Sequence, residues 1–382
     1  MFKKFLVTIA ALGAFAGSAF AGVTLYGAVD GGFQYSYTKI KGKDAQSAFK
    51  LADGIGTSNQ FGIKGEEKIS DDLTVGFKLE NGFSLANGKL GGAPKKVGDS
   101  TVLFDREAVM YVKTVAGTIA VGREGAISSG FGMFGQFGGK VAAYGNGRGD
   151  VPGMKWVLGD TTNRYDQSLT YESPKFAGVK VLAQFANKGK QDGDGFLDSK
   201  KNDLFYALGA TFENEQFYGT ALVDVTTHAK VQTGDKPKDG IKVSIGGNVK
   251  IDGVQIFAAG QYFKDVGLNV SPIAEQILYP KPLGITTKGF GLNAGVAVRV
   301  STGSLKGNLG FMKAKQTNPK ANLEPRKFNR FILGVVYDYP LSKTTFLYSG
   351  LGATFDKYKN IPRVSKTSSR AFAANFGFSH KF

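Results

Sequence analysis

The chain has 382 residues, no cysteine, 54 glycines, 31 phenylalanines and a formal net charge of +17. Without cysteine, stability cannot come from disulfides; no stretch after the first 21 residues approaches 18 consecutive apolar residues, which excludes helical membrane spans. The positive charge admits nucleic acid, an anionic surface or small anionic solutes as partners.

The N-terminus narrows that choice. Lys3 and Lys4 precede an apolar run from Phe5 to about Ala16, and Ala19-Phe20-Ala21 offers a small-residue cleavage site before Gly22. This is the layout of a secretory signal peptide over 1–21, too short to be a membrane helix. Export removes most cytoplasmic nucleic-acid readings and leaves 22–382 as one predicted domain.

From Val23 onward the chain alternates at period two. Val23, Leu25, Val29, Phe33, Tyr35 and Tyr37 share one face, and Thr24, Tyr26, Ala28, Asp30, Gln34 and Ser36 the other, which is strand spacing. The same alternation recurs at Leu73–Leu79, Val179–Phe185, Leu204–Phe212, Phe290–Val300 and Phe331–Tyr339. It is clearest at the end, where Phe372, Ala374, Phe376, Phe378, His380 and Phe382 oppose Ala373, Asn375, Gly377, Ser379 and Lys381. Short turns such as Ser70-Asp71-Asp72 and Ile251-Asp252-Gly253 alternate with longer polar segments, near 38–56, 85–100, 124–162, 187–202, 226–240, 265–285, 315–327 and 356–368. Counting strands between these marks predicts sixteen, each close to the ~10 residues that cross an apolar band ~25 Å tall when tilted. The predicted fold is all-β: a sixteen-stranded antiparallel transmembrane β-barrel whose first and last strands pair. A soluble all-β sandwich with the apolar faces packed inward has the same periodicity, since alternation does not say which face is inside.

One segment breaks the pattern. GAISSGFGMFGQFGGKVAAYGNGRG, 125–149, holds nine glycines and no Asp, Glu or Pro, and a loop of this length in a compact domain is usually functional or disordered. Its G-x-G-x-x-G at 130–135 opens no helix after a buried strand, so it is no dinucleotide site; Arg148-Gly149-Asp150 reads as a chance tripeptide. His228 and His380 are the only histidines and have no serine and acid arrangement beside them, so neither a triad nor a zinc site is expected. No catalytic residue, metal or cofactor is assigned, and the chain is not read as an enzyme.

The stretches VTLYGAVDGG (23–32), QFGIKGEEKISDDLTVGFKLENGF (60–83), FDREAVMYV (104–112), GTIAVGRE (117–124), NRYDQSLTYESPKFAGVKVLAQF (163–185) and the terminal Phe382 resemble the general diffusion porins of Gram-negative bacteria, in particular the neisserial and betaproteobacterial branch. The resemblance implies an outer-membrane homotrimer around water-filled pores for small hydrophilic solutes, in contact with outer-membrane lipid and lipopolysaccharide, with Phe382 as the C-terminal signal for the barrel assembly machinery. It also implies that the third long loop, about 124–162, folds inward and narrows the channel.

Carried over residue by residue, Arg106 and Arg164 occupy the wall-arginine positions of the constriction. Their parity, opposite Val109, Tyr111, Tyr165 and Leu169, points them at the lumen. Gln60 replaces a further family arginine, with Lys64 and Glu66 on its face. In the loop, Gln136 stands where relatives carry an acid, and Lys140 and Arg148 add positive charge. Arginines unopposed by a loop carboxylate predict anion preference; a bracing role through hydrogen bonds to the loop is the alternative, and both can hold. A solute-specific channel for phosphate or organic anions on the same barrel is the rival function. Arg123 has the outward parity of Ile119 and Val121. It is expected either to be solvated at the rim or to contact a neighbouring subunit, whose segment 84–100 would latch there.

Overall fold

The structure, a computed structural model, describes residues 22–91, 102–159, 161, 163–187, 202–229, 238–268, 286–319, 324–361 and 364–382. The expected export signal, 1–21, lies outside the described residues, as does 92–100 of the expected latch.

The strands in chain order are β1 (Thr24–Ile40), β2 (Gln46–Asp53), β3 (Gln60–Ser70), β4 (Leu73–Gly82), β5 (Glu107–Thr114), β6 (Gly117–Gly125), β7 (Gly147–Arg148), β8 (Val151–Pro152), β9 (Arg164–Glu172), β10 (Val179–Asn187), β11 (Leu204–Glu213), β12 (Phe217–Thr227), β13 (Gly240–Ile251), β14 (Val254–Val266), β15 (Thr287–Val300), β16 (Gly303–Gln316), β17 (Lys327–Pro340), β18 (Thr345–Ile361) and β19 (Val364–Lys381). All but the small hairpin β7–β8 join one antiparallel sheet. β2 and β3 are two halves of one stave: β2 pairs with the outer part of β1 from Gly31↔Asp53 to Thr38↔Gln46, and β3 with its start from Thr24↔Lys64 to Ala28↔Gln60. Counted this way the barrel has the sixteen staves expected. It closes where β1 pairs with β19, from Ala28↔Lys381 to Ile40↔Ser369, and Gly27 and Phe382 exchange backbone hydrogen bonds of 3.0 and 3.1 Å at the seam.

Between β2 and β3 residues 54–59 turn into the lumen around Asp30. Its carboxylate accepts the N–H of Ile55 at 2.7 Å and of Thr57 at 2.8 Å, and the hydroxyl of Tyr348 at 3.0 Å. These bonds satisfy backbone groups that the break in the ladder would otherwise leave buried and unpaired.

The apolar face is outward. Phe376 and Phe378 are 56% and 53% exposed, while Asn375 and Ser379 on the other face are buried. On β17 the outward Phe331, Leu333, Val335, Tyr337 and Tyr339 span roughly 21 Å at ~3.4 Å per residue and a tilt near 40°, close to the ~25 Å apolar band of outer-membrane barrels. A sandwich would bury these rings, so the soluble alternative fails. Two segments expected as polar loops are strand instead: β1 runs to Ile40 beside β2, and β18 runs to Ile361 and returns as β19. Ribbons that continue past the apolar band need no greasy face, so their polar sequence hides them from a search for alternation.

Candidate functional site

The Gly-rich segment after β6 folds inside the barrel and lies along the inner wall. Ile127, Phe134, Phe137, Val141, Met154, Val157 and Leu158 are almost wholly buried there. They pack on inward side chains such as Val109, Leu182, Phe205 and Leu222 on one part of the wall, and Phe263, Met312 and Ile332 further round. Glycines on the wall make room: a Cβ at Gly291 would strike the carbonyl of Val157, and one at Gly334 the hydroxyl of Tyr144. Part of the chain's glycine content is therefore a seat for the loop.

Polar clamps hold it in register. Ile127 N–H donates to Gln184 Oε1 at 3.0 Å, Ser128 to Asp224 at 2.6 Å, Tyr218 to the Gln136 carbonyl at 3.0 Å and Asn248 to the Lys140 carbonyl at 2.8 Å. At the tip, Asn375 donates to the Arg148 carbonyl at 2.8 Å and Gln34 to Asp150 at 2.6 Å, and the Arg148 guanidinium bonds the Gly56 carbonyl and Asp338. On the return, Arg330 reaches the Trp156 carbonyl at 3.3 Å while held bidentately by Asp356 at 2.8 Å.

The loop leaves the inner wall of β1, β3, β4 and the start of β5 less covered, and charged side chains collect there. Glu80 and Glu107 stand opposite each other on β4 and β5, an arrangement that repels unless cations intervene. Lys78 does so, 3.4 Å from Glu80 and in contact with Glu107, and Arg106 Nε lies 2.6 Å from Glu80. Tyr26 donates to Glu80 at 3.0 Å, with Lys64 and Lys78 over its ring at 5.4 and 5.8 Å. Glu107 also accepts the Met133 N–H at 2.7 Å, tying the loop to the cluster. Arg164 stacks its guanidinium 4.2 Å from the Phe131 ring, a cation–π contact between wall and loop.

Arg106, Arg164, Gln60 and Lys64 thus come together: Gln60 Nε2 lies 3.5 Å from the Glu80 carboxylate, and Lys64 is exposed. Gln136 and Lys140 do not join them. Lys140 Nζ donates to Gln136 at 2.9 Å beside the Tyr218 ring, in a polar recess of about 410 Å³ that also includes Glu172, Lys180 and Glu213 at the short-turn end.

The parity argument for the arginines fails although their placement in the lumen stands. Val109, Tyr111 and Tyr165 are buried on the inner face and Met110 is 55% exposed on the outer. Arg106 precedes β5 and reaches Glu80 from a bend. A register shift between Gly122 and Glu124, with Gln167 at positive φ, reverses the phase of β9 after Tyr165. Nor is Arg106 free of acids: no loop carboxylate meets it, but the wall supplies Glu80. Arg148 does not stand alone: Asp338 meets it at 3.1 Å but also meets Lys306 at 2.7 Å, so the three groups together keep one positive charge. The missed signal was the pairing of GFKLENG with REAVMYV, which sets Glu80 against Glu107. On the loop's return, burial holds the Lys155 ammonium below the ordinary lysine value, with Asp150 acting against the shift.

Arg123 lies on the outer face near the top of β6, where Nε donates to the Asp105 carbonyl at 2.7 Å and Nη1 meets Asp166 at 2.6 Å.

Comparison with known proteins accords with this architecture. A family described as Gram-negative porin matches residues 8–359. An outer membrane porin protein of Bordetella pertussis is 26% identical over 411 residues, covering 100% of both chains. The major outer membrane protein P.IB of Neisseria gonorrhoeae is 28% identical over 222 residues, 56% of this chain and 55% of the relative. Among solved structures, the anion-selective porin from Comamonas acidovorans superposes with a TM-score of 0.63 at 19% identity, covering 95% of this chain and 100% of that one.

Proposed function

This chain belongs to the Gram-negative porin family, and from that premise we propose that its outer-membrane channel, a passive diffusion path for small hydrophilic solutes, prefers anions. The observation that carries the reading is the charge balance of the uncovered wall. Lys78, Arg106, Glu80 and Glu107 compensate one another, while Lys64 and Arg164 stand beside them with no carboxylate in ion-pair contact among the described residues. With the Asp105 carboxylate beside Arg106 and acting on Arg164, one cation of excess remains, and at a water-filled wall it raises the local anion concentration within the ~8 Å screening length of physiological salt. The selectivity in the name of the Comamonas porin agrees with this direction. Reversal potentials across a planar bilayer in a KCl gradient test it: chloride is expected to permeate faster than potassium, and the preference should fall in Lys64→Gln and Arg164→Gln. Cation preference in the unmodified channel overturns the proposal. Saturable block by phosphate or one organic anion would favour the solute-specific rival.

The assembly proposed on the same premise is a homotrimer with Arg123 at the subunit contact. Its guanidinium faces outward and is fixed in direction by Asp105 and Asp166, and Arg123→Glu should shift native mass spectra from trimer toward monomer. Phe382, at the seam with Gly27, is the proposed recognition end for the barrel assembly machinery.

A further inference from the structure

At the short-turn end, which in outer-membrane barrels faces the periplasm, the inner wall of β9–β14 and the loop segment 133–140 enclose the recess of about 410 Å³ that holds Lys140. Thr211, Tyr218 and Asn248 are buried on that wall, whereas Phe212 and Phe217 beside them are exposed on the outer face, so the recess lies in the lumen and away from lipid. Its size is that of a small-solute pocket. Seven charged side chains line it. Lys140 comes from the loop; Lys175, Lys180, Lys250, Glu172, Glu213 and Glu215 come from strand ends and short turns.

Two of these charges are paired with two others: Lys180 meets Glu172 at 2.9 Å and Lys175 meets Glu213 at 3.4 Å. Lys140, Lys250 and Glu215 have no opposite charge in ion-pair contact among the described residues. Lys140 is held ready at both ends. Asn248 donates to its carbonyl at 2.8 Å, and its ammonium donates to Gln136 Oε1 at 2.9 Å with the Tyr218 ring 5.7 Å away. The Tyr218 hydroxyl lies 2.9 Å from the same Oε1 and fixes it. An ammonium has three donors, and Gln136 takes only one of them, so Lys140 offers the rest to a ligand with little further ordering cost. Across the recess, the Lys250 N–H donates to the Gln216 carbonyl at 2.8 Å, which ties the end of β13 to the turn that carries Glu215. Glu172 and Glu213 are within electrostatic reach of the Lys140 ammonium. A simple anion seated on Lys140 therefore meets carboxylates, and a simple cation beside the glutamates meets lysines. A solute carrying both signs is attracted at both ends.

We propose that this recess binds a dipolar solute, an amino acid or short peptide with a free ammonium and a free carboxylate, its carboxylate on Lys140 and its ammonium toward Glu213 and Glu215. The site goes beyond anion preference, because such a solute has no net charge, and it rests on the outer-membrane channel reading only for the route by which the solute arrives. The test uses the full chain folded in detergent and saturation-transfer NMR with three dipeptides of similar size: dialanine, N-acetyl-dialanine and dialanine amide. Dialanine is expected to bind at least about fivefold more tightly than either analogue, each of which lacks one charge. K140Q/K250Q should weaken dialanine by a similar factor of about five, while Lys343→Gln, in the short turn between β17 and β18 outside the recess, leaves it unchanged. Raising KCl should weaken binding through screening. Equal binding of dialanine and N-acetyl-dialanine, or unchanged affinity in the double variant, overturns the proposal. If the double variant does not fold, Lys250→Gln alone, outside the loop, and the three dipeptides on the unmodified protein decide. Single-channel steps from the same preparation test the channel reading separately: steps without dipeptide binding sink this inference alone, and binding without steps sinks the channel reading while the recess stands.

Discussion

Arg148, at the tip of the inward loop, meets Asp338 on β17 at 3.1 Å, and Lys306 meets the same carboxylate at 2.7 Å. The contact fixes a loop that starts at β6 to the far side of the lumen.

Arg148→Ala should therefore loosen the tip without unfolding the barrel. Asp338 keeps Lys306, so no buried charge is stranded, and the cost is expected to be about 1–3 kcal/mol from the lost bonds to Asp338 and Gly56. The check is a lower melting temperature in detergent together with more current noise in single-channel records. A quiet channel of unchanged stability would show that the tip is held by its apolar contacts alone.

Glu80→Gln should strengthen anion preference. Glu80 compensates Arg106 and Lys78, and removing its charge adds one uncompensated cation to the wall. A larger anion-to-cation permeability ratio in the same KCl gradient is the expected result; a smaller ratio would contradict the placement of this cluster at the permeation path.

Gly291→Val should displace the loop from its seat, because the added side chain occupies the space of the Val157 carbonyl. Overpacking of this kind costs ~1–3 kcal/mol and should change the conductance step. Ala294→Val, on the outer face of the same strand, should leave both quantities nearly unchanged.

The charge of Lys155 should be lost at a lower pH than that of an ordinary lysine, because burial lowers its folded-state value. Between that value and the ordinary lysine range the unfolded chain binds the extra proton, so this group makes stability rise with pH there, and below that window its burial is a constant cost. Lys155→Gln should remove this group's contribution to the rise of melting temperature with pH across that window. A pH profile identical in the variant would sink the assignment.

Deleting Phe382 removes the two backbone bonds to Gly27 and the last outward ring of the seam. Refolding yield into detergent should drop while any protein that does fold conducts normally, since the residue is remote from the lumen.

The alternation along β17 and β19 made the barrel legible in sequence, because a strand between lipid and water must present two chemically different faces at every second residue. The same rule misled at β5 and β9. Their inner faces are covered by the loop and carry Val109, Tyr111 and Tyr165, so both faces are apolar and hydrophobicity no longer reports direction. Arg106 and Arg164 were singled out by resemblance to relatives, whereas the facing carboxylates Glu80 and Glu107 depended on a strand register that nothing local specifies.

The amino-acid order alone determined the strands and the glycine-rich break between them, which follow from periodicity and backbone freedom; the inward turn of that segment was an expectation from the resemblance to relatives. Which carboxylate meets which cation, how far round the wall the loop travels, and that seven charged side chains from distant parts of the chain line one recess were decided by the closed sheet. Lateral neighbours in a barrel are set by register between strands, and register places side by side residues that the sequence keeps far apart.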